Sequence, residues 1–210
     1  MRPWDAWLQQ VMAGSRERMG NDWLPAYLES PVWRFMLPGG MCGAGAVLGL
    51  LMPSVDRVGR YFPLTLAAVF PPGAGVPAAD AAGRWLEVCE TAGRAALDAD
   101  VPPDEVARQV AGQVPGRVPG QVPGQVPSGA LPLPGAGDAV ETPGSAVWWT
   151  DGGPRVAATR LALAALPDAT QFAVMLDTGM LGAGTLDAGL LGAGTLGAGL
   201  GAGAPAREEA

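Results

Sequence analysis

Residues 46–70 read Ala-Val-Leu-Gly-Leu-Leu-Met, then Pro-Ser-Val-Asp-Arg-Val-Gly-Arg, then Tyr-Phe-Pro-Leu-Thr-Leu-Ala-Ala-Val-Phe. The first part, residues 46–52, is apolar throughout, which is typical of a strand covered on both faces. The third part, residues 61–70, is a second apolar run, in which Pro63 is tolerable near the start or on an edge. The stretch therefore predicts two strands, and the charged loop 53–60 between them could close a hairpin, although it is long for one.

Periodic patterns on either side of this stretch predict the other elements. Apolar residues recur at helical spacing over residues 3–19 and 77–97, and shorter helices are expected over 21–28, over 104–110 and from Pro167 onward. Residues 32–37 and 146–150 are predicted strands, and residues 155–163 are expected to pair back on the second of these. The 210 residues give room for one α/β domain, or one domain with tails.

Two segments have a different composition. Residues 112–144 contain a repeat of Gly, Gln or Arg, Val and Pro, and each proline disfavours a helix before it. Residues 179–210 form a glycine-rich repeat whose backbone entropy opposes ordering. We expect a disordered linker and a disordered tail, so that residues 1–111 hold the main part of the domain and residues 145–178 complete it.

The composition excludes several chemistries. The chain has no His, and all of its basic residues are Arg, so it also lacks Lys. A Ser-His-Asp triad, a Schiff-base lysine and a phosphate-loop lysine are therefore impossible. Cys42 and Cys89 match no zinc spacing and are expected to be free thiols. These absences predict a protein without a metal, a cofactor or an enzymatic activity.

Charge and hydropathy restrict the partners and the location. The net charge is −7, and acidic residues outnumber Arg in both halves of the chain, so nucleic-acid binding is not expected. No charge occurs between Arg34 and Asp56, but Pro38 and the two following glycines interrupt this segment, which therefore predicts buried strand and no membrane span. The N-terminus has no signal-peptide pattern, and a cytoplasmic protein is expected.

Loop 53–60 is the densest polar cluster within apolar sequence, and two interpretations are open. In the functional interpretation, Asp56, Arg57 and Arg60 are presented to a partner on a rigid hairpin. In the structural interpretation, Asp56 accepts hydrogen bonds from loop amides while an Arg packs against it. Both interpretations can hold for different residues.

Three groups of residues together resemble the TagF (ImpM) family of type VI secretion accessory proteins. They are residues 4–9 (Trp-Asp-Ala-Trp-Leu-Gln), residues 30–35 (Ser-Pro-Val-Trp-Arg-Phe) with the run from Pro53 to Leu64, and residues 145–149 (Ser-Ala-Val-Trp-Trp) with residues 172–176 (Phe-Ala-Val-Met-Leu). The resemblance covers about residues 3–101 and 145–177, and the run from Pro53 to Leu64 is its most specific part.

The resemblance implies an α/β fold, a layered sandwich in which helices pack on a central mixed or largely antiparallel sheet. It places a family motif and an interaction surface at Pro53, Ser54, Asp56, Arg57, Gly59 and Arg60. Together with the periodicity, it places the core at Trp4, Trp7, Trp33, Phe35, Phe62, Pro63, Trp148 and Trp149. Because Trp148 and Trp149 are adjacent in a predicted strand, they should point to opposite faces of the sheet.

The resemblance also implies a function. Family members are cytoplasmic post-translational regulators, usually repressors, and are linked to a forkhead-associated scaffold protein and a threonine-phosphorylation pathway. The alternatives are a structural component of the secretion apparatus and a small phosphate-handling enzyme that uses Asp56, Arg57 and Arg60. One departure is that the family's usual first strand, with a Gly-Lys-Leu-Pro segment, has no match before Trp4. We therefore expect a missing N-terminal strand and an exposed sheet edge.

Overall fold

The computed structural model describes residues 2–74, 77, 79–99, 101–116 and 144–183. The helices are α1 (Arg2–Met19), α2 (Trp23–Leu28), α3 (Ala79–Ala99), α4 (Pro103–Ala111) and α5 (Ala169–Leu176), with short 3-10 turns at Gly20–Asp22 and Thr178–Ala183. The strands are β1 (Trp33–Leu37), β2 (Val47–Met52), β3 (Leu64–Val69), β4 (Ala146–Thr150) and β5 (Thr159–Leu163). Each predicted helix and strand is present, with ends displaced by a few residues.

The strands form one five-stranded sheet in the order β3-β2-β1-β4-β5, in which every neighbouring pair is antiparallel. β2 and β3 pair from Val47 with Val69 to Met52 with Leu64, so the connection between them closes a hairpin as the sequence predicted. β1 pairs with both β2 and β4, which places the C-terminal strands in the same sheet as the N-terminal ones. Of the two sheet types predicted, the antiparallel one is confirmed.

Helices cover both faces of the sheet and make a layered sandwich. Helices α1, α2 and α5 lie on one face with the alternate strand residues Trp33, Phe35 and Trp148, and helices α3 and α4 lie on the other face with Leu48 and Leu50. Side chains alternate between the two faces along each strand, so a strand such as β2 must be apolar at every position. The layered α/β fold is therefore the expected one.

Buried tryptophans connect segments that are far apart in the sequence. The indole N–H of Trp7 donates to the Pro167 carbonyl (2.6 Å), and that of Trp33 donates to the Met175 carbonyl (3.0 Å). Trp4 packs on Phe35 with ring centroids 4.7 Å apart. These contacts join α1 and the sheet to α5, and because a buried indole N–H needs an acceptor they also fix the orientation of each ring. The core assigned to Trp4, Trp7, Trp33 and Phe35 is confirmed.

Trp148 and Trp149 face opposite sides of the sheet, as predicted. Trp148 is completely buried between α1 and Phe35, and Trp149 is partly buried beside the α3 and α4 layer. On that second face Arg34 pairs with Glu90 of α3 (2.8 Å) and with Asp151 after β4 (2.7 Å). One half-buried arginine thus ties three elements together, because its guanidinium presents several donors in a fixed geometry.

The low-complexity predictions lie largely outside the described residues. For the linker 112–144, only residues 112–116 and 144 are described, and for the tail 179–210 only residues 179–183. Those last residues belong to the 3-10 turn Thr178–Ala183. The turn is held because the Thr178 hydroxyl donates to the Arg155 carbonyl (2.8 Å) and Met180 packs against the core. Among the helices described, none is long and apolar enough to cross a bilayer.

Candidate functional site

The connection between β2 and β3 continues the hairpin beyond the two strands. Val55 and Tyr61 form an isolated antiparallel bridge, and the Phe62 N–H donates to the Ser54 carbonyl (3.3 Å). The Ser54 hydroxyl donates to the Phe62 carbonyl (2.5 Å). Backbone pairing therefore extends to Asp56, whose N–H donates to the Arg60 carbonyl (3.0 Å). The loop is a narrow, ordered projection, which explains how a long connection can still close a hairpin.

Asp56 organises the tip of this projection. Its Oδ1 accepts from the N–H groups of Val58 (3.0 Å) and Arg60 (2.8 Å), and its Oδ2 accepts from Nε of Arg60 (2.6 Å). The Arg60 N–H, followed by the Arg60 guanidinium, holds the pKa of the Asp56 carboxyl below its usual value. The structural interpretation is therefore correct for Asp56, because an aspartate that follows a strand commonly satisfies the amides of its own turn.

Gly59 completes the tip because of its backbone conformation. Its φ is +80°, a left-handed value that costs a residue with a Cβ atom about 1 kcal/mol or more. The Gly59 N–H donates to the Asp56 carbonyl (2.9 Å), which closes the turn. A Cβ atom at this position would meet nothing within 4 Å, so the constraint is conformational, and the space beside Gly59 is open.

Tyr27 of α2 anchors the base of the projection. Its hydroxyl accepts from the Ser54 N–H (3.0 Å) and donates to the Ser54 carbonyl (2.9 Å). Burial raises the pKa of Tyr27 to about 12, so the hydroxyl keeps its proton and can serve as donor and acceptor at once. The Ser54 backbone is consequently bonded to Tyr27, and the Ser54 side chain to the Phe62 carbonyl.

Three aromatic rings support the projection from below. Trp23 stacks on Tyr27 with centroids 4.9 Å apart, and Tyr61 meets both rings edge-on, at 6.1 Å from Trp23 and 5.9 Å from Tyr27. The Trp23 indole N–H donates to the Ser15 hydroxyl (3.0 Å), which in turn donates to the Met12 carbonyl (3.2 Å). Offset and edge-to-face aromatic contacts have preferred geometries, so they orient the loop relative to α1 and α2.

Exposed apolar side chains concentrate on this part of the molecule. Of the seven large hydrophobic residues exposed in the described part of the chain, five belong to α2 or to the loop. We call this the loop–α2 surface, and it consists of Leu24, Leu28, Val55, Val58 and Phe62. Val58 at the tip is the most exposed, at 73%. Exposed apolar side chains on a rigid support are typical of protein-binding sites.

Phe62 is a correction to the predicted core. It is 43% exposed, whereas its neighbours Tyr61 and Pro63 are half-buried and buried. The reason is the extended backbone of the hairpin, in which alternate residues face opposite sides. Because Tyr61 and Pro63 turn toward α2 and the core, Phe62 must turn toward solvent. The core prediction holds for Pro63 and is wrong for Phe62.

A groove separates the tip of the loop from the end of α1 and the start of α2. Its volume is about 590 Å³, and its lining includes Arg16, Trp23, Leu24, Arg60 and Tyr61. The Arg16 guanidinium carbon lies 4.2 Å from the centroid of the Trp23 ring, a cation–π contact. The groove is thus bounded on both sides by arginines and has aromatic and aliphatic walls.

The other predicted site residues lie beside this surface. Pro53 and Pro63 line a small cavity under the loop together with Tyr27, and Arg57 is exposed at the tip.

The two cysteines, Cys42 and Cys89, are free thiols; Cys42 is half-buried and Cys89 is buried. Within the described residues, no three Cys, Asp or Glu side chains come together as metal ligands. The motif Pro53, Ser54, Asp56, Arg57, Gly59 and Arg60 therefore forms one projecting loop.

This architecture defines a class: three-layered α/β proteins with one antiparallel sheet and a projecting hairpin connection. The family model for the TagF N-terminal domain, described as type VI secretion system-associated, matches residues 1–112, more than half of the chain. The chain therefore belongs to the TagF family of type VI secretion system-associated proteins.

Solved structures agree with this assignment, and three solved chains match. One of them is described as the crystal structure of PA0076 from Pseudomonas aeruginosa PAO1 at 2.05 Å resolution. It is 31% identical, with a TM-score of 0.63, over 89% of this chain and 86% of that chain. Among curated proteins, no sequence matches the chain. The likeness thus extends over most of both chains and includes the fold.

Sequence reasoning missed the residues of α2 and α1 that support the loop. Tyr27, Trp23 and Arg16 were assigned no role in the site, although all three lie on or beside helices that the periodicity predicted. The signal was weak because no local pattern shows that a helix hydroxyl meets Ser54, 27 residues further along the chain. The four-residue spacing of Trp23 and Tyr27 indicates one helix face, but not what that face contacts.

Proposed function

We propose that this protein is a cytoplasmic regulator of a type VI secretion system, a repressor that acts by binding another protein through the loop–α2 surface. The observation that carries the proposal is the exposure of apolar side chains on a loop whose backbone is hydrogen-bonded within the hairpin and to Tyr27. A loop that is ordered before binding loses little conformational entropy when a partner covers it. Family membership supports the link to type VI secretion, and the exposed apolar side chains of the loop–α2 surface support binding as the mode of action.

The proposed partner is the forkhead-associated scaffold protein of the same system, within the threonine-phosphorylation pathway. The support is the TagF resemblance, since family members are linked to this protein. The loop–α2 surface is suited to such a partner because Val58 and Phe62 would be removed from water on binding. Burying an apolar side chain of that size contributes about 1.5–3 kcal/mol. We propose that bound scaffold is withheld from assembly, which represses secretion after translation.

We also propose that the protein has no catalytic activity of its own. Asp56 is the candidate base of the phosphate-handling alternative, and both of its carboxylate oxygens already accept hydrogen bonds. Its lowered pKa makes it a weak base. The sequence provides no His or Lys to replace it. Turnover of a phosphopeptide by the purified chain, lost on Asp56→Ala, would contradict this part of the proposal.

Secretion in the parent bacterium tests the regulatory role. Deletion of the gene should raise secretion by the type VI apparatus, and overexpression should lower it. The amount of secreted tube protein in the medium, relative to the amount in cells, is the measurement. If secretion is unchanged on both deletion and overexpression, the protein is not a regulator of this system.

Two valine substitutions test the surface. Val58→Asp places a charge at the tip of the loop, and Val69→Asp is the matched control, since Val69 is also exposed (63%) but lies at the far end of β3. Binding of the purified chain to the forkhead-associated protein is measured by calorimetry. We expect Val58→Asp to weaken binding by about tenfold or more, as for an apolar residue central to an interface, and Val69→Asp to bind as the wild type does. Equal binding by both variants and the wild type would exclude the loop–α2 surface.

A further inference from the structure

The groove beside the loop has a charge pattern that the exposed apolar side chains do not explain. Two arginines, Arg16 and Arg60, contribute to its lining, and no Asp or Glu does so. This is unusual for the molecule, because the whole chain carries a net charge of −7. An open concave site lined by one sign of charge attracts groups of the opposite sign.

Both arginines are held in place before any ligand binds. Arg16 lies against the Trp23 ring, which is itself fixed by its hydrogen bond to Ser15. Arg60 is oriented by the ion pair between its Nε and Asp56, while its side chain remains 79% exposed. That pair uses a single N–H, and a guanidinium carries four more donors that can reach a carboxylate. The two cationic groups are therefore positioned and still accessible.

The wall between the two arginines combines apolar side chains with the amide of Asn21. Leu24 is exposed at the groove, and the half-buried Tyr61 ring forms another part of the lining. An anion alone would leave this wall in contact with water. A ligand that carries an aliphatic side chain next to its negative charges would cover the wall and satisfy the arginines together.

We propose that this groove binds an acidic segment of the partner protein, in which carboxylates contact Arg16 and Arg60 and an aliphatic side chain packs on Leu24. The inference rests on the proposed function, because it gives the chemistry of the partner segment that binds in the groove next to the loop tip and shares Leu24 with the loop–α2 surface. It adds a site to that function, since Arg16 and Leu24 lie outside the loop motif. It also predicts the binding specificity of the groove, which should not bind basic segments.

A labelled peptide probe tests the groove directly. The probe has the sequence Glu-Leu-Glu-Glu-Leu-Glu, and its counterpart has glutamine at each glutamate position. Fluorescence anisotropy with the full chain should show saturable binding of the acidic peptide, weakened by added salt as exposed ion pairs are screened. The glutamine peptide should bind at least about tenfold more weakly. Absence of binding at millimolar chain concentration, or equal binding of both peptides, would overturn the proposal.

Variants locate the binding. The double variant Arg16→Gln/Arg60→Gln should weaken the acidic peptide about tenfold. The control Arg108→Gln removes an exposed arginine from α4, on the other face of the sheet, and should bind normally. Gly20→Asn gives a second test that keeps both arginines, and its added side chain in the groove should also weaken binding of the acidic peptide. Gly20 lines the groove with a φ of +56° and open space around it, and Asn tolerates this conformation. Peptide binding unaffected by both groove variants would overturn the proposal.

The two proposals can fail separately. If the forkhead-associated protein binds the wild type and the groove variants equally, the groove inference is wrong while the proposed partner stands. If the acidic peptide binds in a groove-dependent way and the forkhead-associated protein does not bind at all, the partner is wrong while the groove inference stands. If sedimentation shows a dimer that Arg16→Gln/Arg60→Gln dissociates, the occupant is a second copy of the chain and the groove inference is wrong.

Discussion

Removal of one hydroxyl group, in Tyr27→Phe, should loosen the projecting loop and leave the rest of the core intact. The phenylalanine keeps the stack on Trp23, in which the rings lie 4.9 Å apart. It loses both hydrogen bonds to Ser54, at 2.9 and 3.0 Å, so the Ser54 N–H and carbonyl are left without this partner. An unsatisfied buried polar group costs about 1–3 kcal/mol.

We expect a loss of about 1–2 kcal/mol in the free energy of unfolding for Tyr27→Phe, the lower part of that range. Ser54 is only half-buried, so water can replace part of what the hydroxyl provided. Urea unfolding followed by tryptophan fluorescence measures the loss. Amide hydrogen exchange should show a larger increase at residues 54–62 than in β1 or α5, because the change acts on the anchor of the loop.

Tyr61→Phe is the matched control for this experiment. Its ring belongs to the same aromatic cluster, at 5.9 Å from Tyr27, but its hydroxyl is not a hydrogen-bond partner of Ser54. The control should therefore retain the exchange protection of the loop. If Tyr27→Phe is as stable as the wild type and its loop amides exchange at the wild-type rate, the anchoring role assigned to Tyr27 is wrong.

Four further predictions concern the protection of the loop and the stability of the fold. Asp56→Asn keeps an oxygen acceptor for the loop amides and should protect them better than Asp56→Ala, as measured by hydrogen exchange. Because its pKa is lowered in the fold, Asp56 stabilises the protein above its usual pKa, and this stability should be lost as the pH falls through the folded value. Burial raises the pKa of Cys89 from 9.0 to about 12. The free energy of unfolding should therefore fall above pH 9 by up to about 1.4 kcal/mol per pH unit. In Cys89→Ala the fall should be less steep. Gly49→Ala would place its Cβ 2.6 Å from the Leu66 carbonyl oxygen and 2.7 Å from Phe35. We therefore expect urea unfolding to show a loss of about 1–3 kcal/mol in the free energy of unfolding. A variant as stable as the wild type would contradict this packing.

The sequence predicted the elements of the fold because their signals are local. The all-apolar run of β2 required cover on both faces, and α3 and α4 on one side and α1, α2 and α5 on the other provide it. The neighbouring tryptophans of β4 had to face opposite layers, and they do. The hydrogen bonds of Asp56 to its own turn could also be predicted from the sequence, because they involve residues only two and four positions away.

The remaining features depend on contacts between distant residues. Phe62 looks like a core residue in sequence, and only the pairing of Val55 with Tyr61 fixes which side of the hairpin it occupies. The anchor between Tyr27 and Ser54 requires knowledge of how α2 packs on the loop. The groove requires the end of α1 and the loop tip to be adjacent. Periodicity describes the face of one element, and these sites form between elements.

Hydrogen exchange of the chain with and without the forkhead-associated protein is the most direct measurement of the central claim, that the loop–α2 surface is the binding site. On complex formation we expect slower exchange in residues 53–62 and 23–28, with α3 and α4 unchanged. Slower exchange confined to α3 and α4, or no change anywhere under saturating partner, would contradict it.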